Sequence, residues 1–79
     1  MKASDIPDAV ALRACDWIGQ DKEPPWRQMV AMGFPEKVVY AKMDKFAKRG
    51  WIEVGVSTRT GWITRKGREA LKALEGSNG

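Results

Sequence analysis

Seventy-nine residues with 14 Lys and Arg against 10 Asp and Glu, 43% of them hydrophobic, predict one domain with one modest core, too short for a catalytic cleft between two lobes. One cysteine and no histidine exclude most metal centres and most nucleophile–base pairs, because zinc needs several thiolates or imidazoles and a nucleophile needs a base beside it. Cys15 has no partner for an internal disulfide, MKASDIPDAV has no apolar leader, and no apolar run reaches membrane-spanning length, so the expectation is a cytoplasmic protein with no cofactor, metal or membrane contact.

Pro7 suits the first turn of a helix running to about Gly19, in which Ala11, Ala14, Cys15 and Ile18 recur at three- and four-residue spacing. Asp8, Arg13 and Asp16 take its other side, and Cys15 reads as core. Gly19 to Pro24 is a polar connector. Pro25 opens a short second helix with Trp26, Met29 and Val30 on one face, and Gly33 ends it. Phe34 bridges to Pro35, so the third helix follows after a tight turn. The chain reads as a single domain over 1–79, with EGSNG as a frayed tail from about 76.

The third helix, PEKVVYAKMDKFAKRG, spans 35–49 and stops at Gly50. Val39, Met43, Phe46 and Ala47 form its core stripe. On the opposite side Lys37, Ala41, Lys45 and Lys48 line up, with Asp44 beside them and Val38 and Tyr40 on the flanks. Taken alone, such lysines read as a solvated helix face. Charge along the chain sharpens the reading: residues 1–26 hold three cations and five acids, 27–50 six and two, and 51–79 five and three. The middle and end of the chain are therefore basic, which suits a polyanion.

Trp51 to Val56 carries Ile52, Val54 and Val56 at period two and reads as a strand, Ser57 to Gly61 as a turn, and Trp62 to Thr64 as the returning strand. Thr64 caps a last helix whose seam is Gly67, Ala70, Leu71 and Leu74. Ile52, Val54 and Ile63 are expected in the core with Val39, Met43, Phe46 and Leu71, and Thr58 to Thr60 as a protruding loop. TRTGWITRKG is not a phosphate-binding loop, since its glycines are not followed by Lys-Ser or Lys-Thr at the required spacing.

Helix, helix, turn, helix, hairpin, helix is the order of a winged helix-turn-helix domain. KRGWIEV, a polar turn with Arg59, and then GWITRKGREAL resemble the wing region of MarR-like and related regulators, where a "(R)GLI" strand, an arginine-bearing wing and an "LT-x-x-G" helix start recur. The resemblance covers roughly Pro24 to Leu74. It implies an α+β, mainly helical fold with a three-helix core, a two-stranded β-hairpin wing and a C-terminal helix. It also implies a non-enzymatic protein that places helix 35–49 in the major groove of double-stranded DNA and the 57–61 wing on the adjacent groove. Carried over, those contacts fall on Lys37, Ala41, Lys45 and Lys48 and on Arg59, with Asp44, Thr58, Arg65 and Lys66 completing the candidate set. The long dimerisation helices and ligand pocket of MarR-type proteins have no counterpart here. A metabolite-responsive repressor is therefore disfavoured, and a small transcriptional regulator or a phage or excisionase-type recombination accessory, with a homodimer as one option, is closer in size.

Plainer readings stand beside these. Arg59 can simply solvate a turn, and Thr58 and Thr60 are also good β-formers. Arg65, Lys66 and Arg68 sit at a helix N-terminus, where the dipole disfavours cations, so they either serve a partner or follow from which face stays exposed. Trp26 is expected to pack, with Trp17, Trp51 and Trp62 partly at the surface. Winged helices also bind proteins, so the alternative is an interaction module, such as a phage protein that engages a host factor through a rim of Val10, Trp17 and the wing tryptophans.

Overall fold

Three helices of this chain begin directly after a proline: Pro7, Pro24 and Pro35 each hold an extended ψ at the N-cap. The pyrrolidine ring presets φ at the entry of a helix, where an amide donor would go unused. In the computed structural model, which describes residues 1–55 and 60–76, a 3₁₀ turn at Ala3–Asp5 precedes α1 (Asp8–Cys15), α2 (Pro25–Ala31), α3 (Glu36–Arg49), β1 (Ile52–Glu53), β2 (Trp62–Ile63) and α4 (Arg65–Gly76). The fold is α+β and mainly helical. No helix among the described residues is long and apolar enough to cross a membrane.

α2 and α3 both end on glycine in the left-handed region, Gly33 at φ 103° and Gly50 at φ 79°. Behind them the Phe34 amide donates to the Met29 carbonyl and the Trp51 amide to the Phe46 carbonyl, which satisfies the last carbonyls of each helix and turns the chain sharply. These two stops fix the short α2–α3 turn and the abrupt passage from α3 into β1. The remaining capping falls to Thr64. Its hydroxyl accepts from the Gly67 amide at 3.0 Å and donates to the Gly50 carbonyl at 2.7 Å, so one side chain starts α4 and ties it to the end of α3, as expected of a helix cap.

The core joins Ile6, Leu12, Cys15, Met29, Val39, Met43, Phe46, Ile52 and Ile63. Val39, Met43, Phe46, Ile52 and Ile63 were expected there. Leu71 and Ala47 are only half-buried against it. The strands pair antiparallel with Ile52 opposite Ile63 and Glu53 opposite Trp62, a register that points both isoleucines inward. Gly67 lets α4 approach this pair: a Cβ there would stand 2.1 Å from the Trp51 carbonyl oxygen.

Three expectations need correction. α1 stops at Cys15 rather than near Gly19, so Ile18 is 61% exposed instead of lying on the core stripe. The cause is tertiary. Gln28 of α2 donates to the Ala14 carbonyl at 3.1 Å, and the Arg68 guanidinium grips the Asp16 carboxylate at 2.9 and 3.1 Å, so partners from α2 and α4 replace the next helical turn. Second, β1 is two residues long and Val54 is 38% exposed. Val54 keeps the inward side of the strand but stands against Gly61, its Cγ1 3.2 Å from where a Cβ on Gly61 would lie. Gly61 offers it no side chain to pack on. Third, Glu75 and Gly76, expected in the tail, belong to α4, and Glu75 pairs with Arg13 at 2.9 Å; residues 77–79 lie outside the described residues. Val56 and Ser57, and with them the middle of the expected turn, lie outside the described residues.

Candidate functional site

α3 divides into two faces. Val39, Lys42, Met43 and Phe46 are buried, while Lys37, Ala41, Asp44, Lys45 and Lys48 are exposed. From Lys37 to Lys48 the helix rises about 16 Å. That length of surface carries three ammonium groups and one carboxylate. Asp44 and Lys48 form an exposed i,i+4 pair at 3.3 Å, worth only a few tenths of a kcal/mol. Among the described residues neither Lys37 nor Lys45 forms an ion pair with the protein. The face is therefore a row of solvated cations around the small side chain of Ala41, suited chemically to a series of spaced anions.

The basic end of α4 separates into three roles. Arg65 is exposed and reaches Glu69 only at 3.8 Å. Lys66 runs beside Gly50, its Nζ 3.9 Å from where a Cβ on that residue would stand, so its charge rests at the C-terminal end of α3, where the helix dipole is negative. Arg68 is committed to Asp16. Two of these three cations thus have structural partners despite lying at a helix N-terminus. Of the other candidates, Thr58 and Arg59 lie outside the described residues.

Sequence reasoning missed Lys42. It sits on the apolar stripe at the i, i+3, i+4, i+7 positions Val39, Lys42, Met43 and Phe46, and it is 6% exposed. Its ammonium bonds the Asp8 carboxylate and lies 5.4 Å from the Phe46 ring centroid. Arg49 adds a longer contact to Asp8 at 3.8 Å and stacks over Trp51 at 5.0 Å. The signal was a cation at a core position of the helical period, which calls for a buried counter-charge. Of the six cations in 27–50, Lys42 is consequently turned inward and, with the exposed Arg49 at longer range, ties α3 to α1 through Asp8.

A shallow groove of about 590 Å³ lies along this seam, between Ser4–Ala9 and Lys42, Lys45 and Arg49, with Ile6, Phe46 and Leu74 in its lining. Asp8 is paired across it with Lys42 and Arg49, while Lys45 forms no ion pair among the described residues. Cys15 is buried, its thiol 3.6 Å from the Met43 sulfur, and burial pushes it up from 9.0 to about 12. It is a core thiol and no nucleophile. Among the described residues no group of three His, Cys, Asp or Glu could hold a metal ion.

Trp17 links the connector after α1 to the base of the hairpin, its indole N–H donating to the Gly61 carbonyl at 3.0 Å. The ring is half-buried, and the bond fixes where the strands leave the body beside α3. No protein-family model, curated protein or solved structure matches this chain.

Proposed function

We propose that this protein is a winged helix-turn-helix domain that binds double-stranded DNA without catalysing a reaction, as a small transcriptional regulator or recombination accessory. α3 enters the major groove, and the segment between β1 and β2, with Thr58 and Arg59, rests on the neighbouring groove. One observation carries the reading: the outer face of α3 keeps Lys37, Lys45 and Lys48 in solvent around Ala41, while its inner face is locked to the core. A duplex presents a phosphate charge about every 1.7 Å along its axis, so a row of ammonium groups about 16 Å long meets several at once. The small Ala41 side chain lets the helix backbone come close to the base edges.

The alternative, a protein-binding module, has less support. Its rim is Val10, Trp17 and the wing tryptophans Trp51 and Trp62, and all four are half-buried, with the indole N–H of Trp17 used inside the molecule.

The test is binding of the whole chain to random-sequence duplex DNA across a range of salt. The expectation is a measurable affinity at low salt and a slope of log affinity against log salt on the order of −3, one unit for each lysine that neutralises a phosphate. No binding at low salt would sink the reading.

A further inference from the structure

The groove between Ser4–Ala9 and α3 holds more positive charge than its acid can answer. Asp8, the one carboxylate among the described residues that line it, shares about 590 Å³ with Lys42, Lys45 and Arg49. Lys42 bonds Asp8 directly and is 6% exposed, so that pair is neutralised within the fold. Arg49 approaches Asp8 only to 3.8 Å, beyond hydrogen-bonding reach, and Lys45 forms no ion pair among the described residues. Two cations one turn apart on α3 are therefore left facing the groove. The Arg49 guanidinium lies over the Trp51 ring at 5.0 Å, and beneath the groove Ile6 and Phe46 are both 0% exposed. A planar guanidinium held on a packed support is preorganised for an oxyanion. On the helical period Lys37 and Lys48 stand nearest the centre of the exposed arc of α3, while Lys45 and Arg49, about 40° apart, follow one another toward one edge. Glu36 and Asp44 lie toward the other edge. The groove thus opens along the basic flank of the helix.

We propose that this groove seats a backbone phosphate of the duplex between Lys45 and Arg49, which makes Arg49 a DNA contact alongside the lysines of α3. This inference rests on the DNA-binding reading. A helix lying in the major groove turns its flanks toward the sugar-phosphate walls, and contacts to those walls position a protein without reading sequence. The phosphate brings one negative charge to a cluster that carries one carboxylate and three cations, so it lowers the surplus instead of stranding a charge. Lys42 keeps Asp8 neutralised, which limits the repulsion between that carboxylate and the incoming phosphate. With Glu36 and Asp44 toward the opposite edge, only one wall of the major groove meets a basic flank, and the helix is held in a single orientation across the duplex.

The experiment measures random-duplex binding across a range of salt for the full chain, Arg49→Gln, Arg49→Lys and the double variant Lys45→Ala with Arg49→Gln, with urea unfolding of each as the control for folding. The slope of log affinity against log salt counts phosphates neutralised, so a purely structural role for Arg49 would lower stability and leave the slope alone. Arg49→Gln is expected to lower the slope by about one unit, and the double variant by about two. Arg49→Lys keeps the charge and should keep the slope. A parental slope for a folded Arg49→Gln would overturn the inference. So would a loss in Arg49→Lys as large as in Arg49→Gln, which would trace the effect to the stack on Trp51 and not to charge. Inorganic phosphate titrated into the free protein separates the competing occupant: saturable submillimolar binding together with a parental slope for Arg49→Gln would assign the groove to free phosphate. The two readings fail differently, because if DNA binding itself is wrong none of the four proteins retains duplex at low salt.

Discussion

Lys42 of α3 buries its ammonium against the Asp8 carboxylate at the start of α1, and the lysine is 6% exposed. A charge removed from water this far is tolerated only with its counter-charge in place. The pair therefore sets the rotation of α3 about its axis, and with it which residues of that helix face outward.

Asp8→Ala should destabilise the protein by about 2 kcal/mol, because it strands the ammonium. Lys42→Met keeps the length of the side chain without the charge and should cost less than about 1 kcal/mol. In the double variant the cost of losing Asp8 should largely vanish. Urea unfolding of the four proteins measures this, and strictly additive costs would show that the two side chains are energetically independent.

Gly67→Ala should be among the most damaging single methyl additions. The new Cβ would stand 2.1 Å from the Trp51 carbonyl oxygen and 2.9 Å from Cγ1 of Ile63, and backbone cannot yield as a flexible side chain can. A loss of about 3 kcal/mol or more is expected. Gly76→Ala, where a Cβ would meet nothing within 4 Å, should change stability by less than about 0.5 kcal/mol. Similar thermal midpoints for the two variants would contradict the packing of α4 on Trp51.

Cys15 makes stability fall in alkali. Its thiol is held up at about 12 in the fold against 9.0 in the free chain. Between those values the unfolded chain has released the proton and the folded one retains it. Stability is then fully present below about pH 9 and drains away as pH rises toward 12, by up to about 1.4 kcal/mol per pH unit. Cys15→Ala should start less stable and lose less over the same interval. Parallel stability curves for the two proteins from pH 8 to pH 11 would show that the thiol is not shielded.

The lysines of α3 should divide by direction. Lys37→Ala and Lys45→Ala should each lower the salt slope of duplex binding by about one unit, and Lys42→Met should leave it unchanged. A slope for Lys45→Ala equal to the parent's, in a folded protein, would argue against a groove-facing α3.

Arg59→Ala should leave the thermal midpoint almost unchanged, since the polar turn expected from the sequence holds Arg59 in solvent and such substitutions usually fall within about 0.5 kcal/mol. It should weaken duplex binding by about 1 kcal/mol, because a planar, weakly hydrated guanidinium suits a narrow minor groove. Equal binding by the variant at low and moderate salt would remove the wing contact and shift weight to the protein-binding alternative.

Local physics wrote the element order into the sequence. Prolines at helix entries, Gly33 and Gly50 at helix exits, Thr64 as a cap and the 3.6-residue spacing of Val39, Met43 and Phe46 act over a few residues each, and all are visible without a fold. The same spacing marked Lys37, Ala41, Asp44, Lys45 and Lys48 as one outward face, since the inner stripe leaves them nowhere else to point. Pairings between distant segments were decided only by the tertiary structure. Asp8, Arg13 and Asp16 looked like a solvated side of α1, yet each reaches across to α3 or α4. α1 ends early because Gln28 and Arg68 take over its last turn, and Val54 stays at the rim because Gly61 offers it no side chain to pack on. Lys42 stands at a core position of the helical period, but its counter-charge was not legible: a buried charge depends on a partner placed by another helix, and no periodicity along a single helix records where that partner will stand.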